Sequence, residues 1–370
     1  MAVATAVTLK SDLNSAIAEL QEQLLPGNYC LIYYVTSRPD LEQVAAKMDE
    51  AFAAHGTLFG CSSFDGEFCM GQLYEGSISV MAIGHDVVSD CWVELLPMDD
   101  TLAVQPAVER IKAHFGTDAM LQDFDQYAGF LLIATSHGEQ EALLYALGNS
   151  LENQVVGGTA NLTPGKWVAF WDGTLHYDTA VLVMMKAKEG FAAIKTQAVT
   201  PISEQTVSVN KTGASERELV ELDGRPALEV FLERLGYDSI PDNLSEILQN
   251  YYLAMRIRDD DYYTRVFEEA VGNSLFAFAN IPVGSEMYIV RNNEDIIDGT
   301  AQAIAVQTKN QQPRALLFCD CAHRLMYIRG EGIVQEYCSV FSAYPHLGFS
   351  CGGEAFIGHL NNTFVGLAIL

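Results

Sequence analysis

Apolar positions along the chain fall into short continuous runs separated by amphipathic stretches, and that order recurs. Residues 28–37, NYCLIYYVTS, form an apolar run closing in Thr and Ser, the pattern of a strand covered on both faces. Residues 40–55, DLEQVAAKMDEAFAAH, set Leu41, Val44, Ala45, Met48 and Phe52 at three-to-four spacing behind Asp40, an acidic residue suited to an N-cap, which predicts a helix. LFGCSSFDGEF (58–68) and an apolar strand, SISVMAIG (77–84), complete the unit. The middle of the chain repeats it as FLLIATS (130–136), the helical EQEALLYALGNSLE (139–152), VVGGTANLTPGKW (155–167) and TAVLVMM (179–185). The end repeats it again as ALLFCDC (315–321), a helical stretch to about Phe341, HLGFSCGGEAF (346–356) and NTFVGLAIL (362–370).

Because each copy supports the element assignments of the others, the repeat outweighs any single motif. A strand-helix-strand crossover makes neighbouring parallel strands, so the prediction is an α/β fold with mixed sheets, built from strand-helix-strand-strand units in two packed domains. Residues 188–312 differ in character. TVSVNKT (206–212) alternates like a strand, ELDGRPALEVFLERLG (221–236) reads as an Asp-Gly turn and a helix from Pro226, and NNEDIIDGTAQAIAV (292–306) reads as a further helix. A boundary near 197–205 divides the chain into 1–200, with two copies of the unit, and 201–370, with the third. The Gly-x-Ser corners after the second strand of a unit lie at a carboxyl end of the sheet, where open α/β sheets place ligands. They are expected to converge on one cleft.

Charge narrows the partners. Among 370 residues, 48 acidic against 21 basic side chains give a net charge of −27, which repels nucleic acid and anionic membrane surfaces. The opening MAVATAVTLKSDL has no basic and apolar leader pattern, and no apolar run is long enough to span a bilayer, so a cytoplasmic location is expected. Eight scattered cysteines without a CxxC read as small buried hydrophobes in a reducing compartment. The eight histidines form no HxH, HxxxH or HExxH, and no Walker loop or strand-borne GxGxxG is present, which disfavours a zinc site and nucleotide binding.

Taken together, LFGCSSFDGEF, SISVMAIG, VVGGTANLTPG, VELDGRPALEVFLERLG, FANIPVGSEMYIVR, LLFCDCAHR and LGFSCGGEAFIGHLNNTFVGLAIL resemble the FIST proteins, with FIST N-like and FIST C-like parts. That resemblance implies a cytoplasmic sensor of a small ligand, an amino acid or metabolite, which signals through a kinase, a cyclase or a chemotaxis receptor. One branch of similar sequences binds haem and senses nitric oxide, the alternative implied for this chain. The first corner departs from the family pattern in carrying Phe64-Asp65 before Gly66-Glu67, and the last carries Cys351-Gly352 there.

Candidate site residues follow from chemistry. Cys61, Ser62 and Thr159 in the first two corners, and Ser350, Cys351 and Gly353 in the last, offer small side chains and glycine-permitted backbone amides to a ligand. Glu67 and Glu354 suit a ligand ammonium. Arg256 and Arg324 stand among apolar neighbours and need an anionic partner, either a ligand carboxylate or an internal Glu. Cys61 and Cys351 hold similar corner positions, so a thiol enzyme is a lesser alternative to a non-enzymatic sensor. His323 and His346 are the candidates for an axial haem ligand.

Overall fold

The repeat is realised as three six-stranded sheets with one common strand order. The computed structural model describes residues 3–24, 27–63, 65–135, 140–160, 167–259 and 261–370; Phe64, His137 and residues 161–166 of the middle corner lie outside them. In the first unit, a lead strand (Val3–Thr8) pairs antiparallel with a closing strand (Ile78–Ile83). The closing strand pairs with a first parallel strand (Leu31–Thr36), and that strand with a second (Thr57–Ser62). The second unit uses Val88–Pro97, Thr179–Ala187, Tyr127–Ala134 and Gln154–Thr159 in the same order. The third uses Phe191–Thr196, Phe364–Ile369, Ala315–Cys321 and His346–Cys351.

The last two strands of every sheet come from another unit. Each unit ends its second parallel strand in a short hairpin, and that hairpin leaves for a neighbouring sheet. Glu67–Cys69 and Gln72–Tyr74 of the first unit extend the third sheet through His346–Cys351. Glu354–Phe356 and Gly358–Leu360 of the third extend the second through Gln154–Thr159. Ala169–Trp171 and Thr174–His176 of the second extend the first through Thr57–Ser62. The exchange closes into a ring of three. Strands of three residues make too few hydrogen bonds to stand as a free hairpin, so each depends on its borrowed neighbour.

Alternation along the strands sorts the core. Inward residues of all three sheets, among them Tyr33, Phe59, Phe130, Leu317 and Phe349, form one central cluster. Outward residues pack beneath helices in three separate clusters, under Leu13–Leu24 and Leu41–Phe52, under Val104–Phe115 and Gln140–Ser150, and under Ile296–Gln307 with Ala322–Gly330. Between the third lead strand and its helix Ile296–Gln307, the chain builds an eight-stranded antiparallel sheet, Val199–Thr212 through Glu286–Asn292, with its own core. There Asp223 and Gly224 make the expected turn at positive φ, and the helix Ala227–Arg234 follows Pro226.

Two local expectations change. Asp40 does not cap its helix; its carboxylate takes two bonds from the Arg38 guanidinium, at 2.8 and 2.7 Å. The third unit's single helix is broken into Ala322–Gly330 and Val334–Ser339, with Gly332 at φ +72° between them.

The glycine of the Gly-x-Ser corner has a packing reason that repeats. Gly60, Gly157 and Gly348 share one register position, opposite Tyr34, Leu131 and Phe318. A Cβ on Gly60 would stand 2.2 Å from the Tyr34 carbonyl oxygen, one on Gly157 1.9 Å from that of Leu131, and one on Gly348 2.3 Å from the Phe318 ring. Over that gap Tyr34 stacks on Phe170 of the borrowed hairpin at 5.1 Å, and Phe318 meets Phe68 of its own at 5.4 Å. The glycine lets a large outward side chain lean across to the exchanged hairpin. Gly60→Ala, blocked by backbone that cannot step aside, is expected to lower stability by about 1–3 kcal/mol in urea unfolding. Gly148→Ala, on an open helical surface, should instead be neutral or raise stability by about 0.5–1 kcal/mol. Equal stabilities for wild type and Gly60→Ala would contradict the packing account.

Candidate functional site

Among the described residues, the three corners are joined to one another by backbone hydrogen bonds. Ser62 N–H donates to the Val168 carbonyl at 3.0 Å, Thr159 N–H to Gly353 at 2.8 Å and Ser350 N–H to Gly66 at 3.2 Å, each bond joining a second parallel strand to the hairpin it borrows. Gly352 N–H donates back to Thr159 at 2.9 Å. By register Ser62, Thr159 and Ser350 are equivalent, and all three are buried. Their neighbours Cys61 and Cys351 belong to the central cluster, so alternation turns these hydroxyls to the helix side, away from the axis. Of the corner glycines, Gly66 (φ +118°) and Gly353 (φ +154°) adopt positive φ, and Gly60 and Gly348 do not. His359 Nε2 would lie 2.2 Å from a Cβ at Gly353, so only glycine fits beside that ring.

Glu67 and Glu354 are also register equivalents, with Ala169 in the remaining place. Both are fully buried. Glu67 Oε2 accepts from Ser77 Oγ at 2.5 Å, and Ser77 Oγ lies 3.1 Å from Ser79 Oγ. Glu354 Oε1 accepts from Cys351 Sγ at 3.0 Å and Oε2 from Thr363 N–H at 3.1 Å. Each acid thus fastens the start of its hairpin to the entry of its own unit's closing strand. Burial pushes Glu67 up to about 8 against the pull of the Ser77 hydroxyl, and pushes Glu354 well above the carboxylate range despite bonds from Cys351 and Cys321. Burial thus favours the neutral, hydrogen-bonding form of both acids.

The thiols are equally quiet. Cys61 and Cys351 are not equivalent: Cys61 aligns with Phe349, and Cys351 lies two positions on. Tyr33 Oη lies 3.9 Å from Cys61 Sγ, while Cys319 and Cys351 press on Gly158, whose Cβ would come within 2.9 Å of Cys319 Cβ. Burial holds both candidate thiols well above their ordinary range, opposite to what activates a nucleophile.

The arginines have internal partners. Arg324 is buried in the outer core of the third unit, with Nε 3.0 Å from Asp320 Oδ1 in an ion-pair contact without hydrogen-bond alignment. Its Nη2 donates to Thr300 Oγ1 at 2.5 Å, and its guanidinium lies over the Tyr337 ring. Burial lifts Asp320 to about 6, with Arg324 pulling the other way. Arg256 lies apart, partly exposed on the inserted sheet, stacked over Tyr288 at 4.3 Å, bonded to Tyr262 Oη and 3.5 Å from Glu204. His346 uses both ring nitrogens, Nε2 with Gly71 N–H at 3.0 Å and Nδ1 beside the Tyr344 carbonyl at 3.0 Å, leaving none for a haem iron. His323 Nε2 has no partner among the described residues, and the ring stands against Tyr252 and Asn362.

A junction that no local pattern announces joins the second unit, the third unit and the inserted sheet. Glu141 accepts from Arg217 Nη2 at 3.0 Å on both oxygens and from Asn280 N–H at 3.0 Å, and lies 3.1 Å from His359 Nδ1. Burial opposes its ionisation, yet His359, Arg217 and the Asn280 amide hold it down at about 2. The carboxylate therefore fixes the proton of His359 on Nδ1. Burial lowers the His359 pKa against the pull of Glu141, which favours the neutral ring, and among the described residues Nε2, then a lone-pair acceptor, has no donor. Thr159 Oγ1, Ser350 Oγ and Gln140 Oε1 are likewise buried without a partner among the described residues. Their only trace in the sequence is the repeated small polar residue at the corner. Glu141 and His359 are 218 positions apart.

The raised Glu67 pKa fixes a sign. The neutral acid favours the fold fully below the unfolded carboxyl value, and that contribution is lost as pH rises through about 8. Wild type should therefore lose stability relative to Glu67→Gln from pH 5 to pH 8, by at most about 1.4 kcal/mol per pH unit. Parallel urea midpoints across that range would refute the assignment.

Comparison with known proteins agrees with this architecture. The FIST N domain model matches residues 29–225 and the FIST C domain model residues 227–357. An uncharacterized protein of Methanocaldococcus jannaschii is 25% identical over 263 residues, covering 68% of this chain. The match spans 50% of that relative's own length. No helix among the described residues is long and apolar enough to cross a membrane. FIST domains are associated with signal transduction and small-ligand sensing. With both parts of the module matched in order along the chain, this protein belongs to the FIST family.

Proposed function

We propose that the chain is a cytoplasmic sensor of a small ligand, an amino acid or metabolite, which hands its state to a separate signalling protein such as a histidine kinase, a cyclase or a chemotaxis receptor. The observation that carries this reading is a set of buried polar atoms without a partner among the described residues: Thr159 Oγ1, whose N–H bonds Gly353, His359 Nε2 beside that glycine, and Gln140 Oε1 next to Glu141. A buried polar group left unpaired costs about 1–3 kcal/mol, so a ligand that supplies the missing bonds has energy to gain there. Of the residues expected from sequence, Thr159 and Gly353 stand at this corner, and Ser350 holds the equivalent position in the third unit. Signalling follows if the ligand tightens contacts between units that are already interlocked, because the Glu141 junction ties the same corner to the inserted sheet.

Thr159→Val tests the site. Removing an unpaired hydroxyl while keeping the side-chain volume should leave the unliganded thermal midpoint unchanged or higher. A panel of amino acids and metabolites, screened by thermal shift, should contain a compound that stabilises wild type by about 2.7 kcal/mol at a hundredfold its Kd. That stabilisation should shrink in Thr159→Val. A variant that keeps the full ligand response, or a panel with no response, counts against the corner.

A further inference from the structure

One pair of thiols differs from the rest in position and access. Of the eight cysteines, seven are buried and Cys91 alone is partly exposed. Cys91 lies on the second unit's lead strand Val88–Pro97, the edge strand of its sheet, and with Val93 and Leu95 packs against the central cluster. Cys30, a member of that cluster, immediately precedes the first unit's parallel strand Leu31–Thr36. Its backbone is held on both sides, its N–H donating to Ile83 at 2.8 Å and its carbonyl accepting from Thr57 N–H at 3.1 Å. Cys91 Sγ reaches across the seam between the two sheets to 3.7 Å from that carbonyl, and the two thiols hydrogen-bond to each other. This bond, helped by the Thr57 hydroxyl and opposed by burial and by Asp90, lowers the Cys91 pKa. The same bond, together with burial, raises that of Cys30. The accessible sulfur is thus the one that ionises first, and the covered one keeps its proton. Cys319 and Cys351 also hydrogen-bond to each other, but both are fully buried and burial raises both.

We infer that Cys91 and Cys30 form a dithiol oxidised by hydrogen peroxide, Cys91 being the thiol that reacts with the peroxide and Cys30 the thiol that resolves it into a disulfide between the first and second units. The Cys91 thiolate attacks one peroxide oxygen; the O–O bond breaks, hydroxide leaves, and Cys91 becomes a sulfenic acid. The Cys30 sulfur then attacks the Cys91 sulfur, the S–O bond breaks, and the departing hydroxyl takes the Cys30 proton and leaves as water. The first hydroxide and the proton shed by Cys91 make a second water. Two thiols are oxidised to one disulfide, and the peroxide is reduced. The crosslink closes at the amino end of Leu31–Thr36, the opposite end of the strand from the corners, and straddles residues 84–87, which connect the closing strand Ile78–Ile83 to Val88–Pro97. It involves none of the groups at the Thr159 corner, so the two assignments stand or fall separately.

Treating the full chain with hydrogen peroxide, removing the excess with catalase and titrating thiols in urea tests the assignment. The count should fall by two from the eight of the reduced chain, and dithiothreitol should restore it. Peptide mapping of the oxidised wild type without reductant should find one linked pair, Cys30 with Cys91. Cys30→Ser should leave a sulfenic acid at Cys91 that dimedone captures, and Cys91→Ser, at the partly exposed position, should lose none of its remaining thiols. The inference is overturned if wild type keeps its thiol count under peroxide that oxidises free glutathione, if the linked pair is any other, such as Cys319 with Cys351, or if Cys91→Ser loses thiols as wild type does. Oxidation of wild-type Cys91 to the sulfinic acid without a crosslink would reject Cys30 as the resolving thiol and overturn it equally.

Discussion

The three-unit body of this molecule depends on the ring of exchanged hairpins. Each unit gives its hairpin to one neighbour and receives one from the other, so none of the three six-stranded sheets is completed by its own segment of chain. The borrowed strand covers what would be an exposed sheet edge, and the three inward faces can then close on a single core. Such a ring is cooperative by construction: losing one hairpin uncovers an edge in another unit and opens the common core of all three.

The chemistry of the corners follows from that closure. Where the strands cross from one unit to the next, water is excluded, and ionisable groups at the crossing are driven to their neutral forms. Glu67 and Glu354 become hydrogen-bonding fasteners, and the thiols stay protonated. Charge is retained only where a full set of partners exists, as at Glu141, which gathers a histidine, an arginine and a backbone amide. The junction at Glu141 also clamps the inserted sheet to the ring.

Within the ring, sequence equivalence and chemical equivalence part company. Glu67, Glu354 and Ala169 share one structural position, and so do Cys61, Gly158 and Phe349. The three corners keep the backbone arrangement and differ in their side chains. Among the described residues this asymmetry leaves the Thr159 and Ser350 hydroxyls unpaired, whereas Ser62 Oγ donates to the Val168 carbonyl at 3.3 Å.

The amino-acid sequence by itself determined the elements and their repetition, because apolar period and corner glycines are local properties that each copy writes out in full. It also exposed Thr159, Ser350 and Gly353 as corner residues. Only the tertiary structure decided which unit receives which hairpin, since a three-residue strand such as Glu67–Cys69 carries no mark of the partner it will pair with. It alone decided that Arg324 faces Asp320 rather than a ligand, that Cys61 and Cys351 fall out of register, and that Glu141 meets His359 from 218 residues away. Those outcomes depend on burial and on contacts between distant segments, and neither exists until the ring has closed.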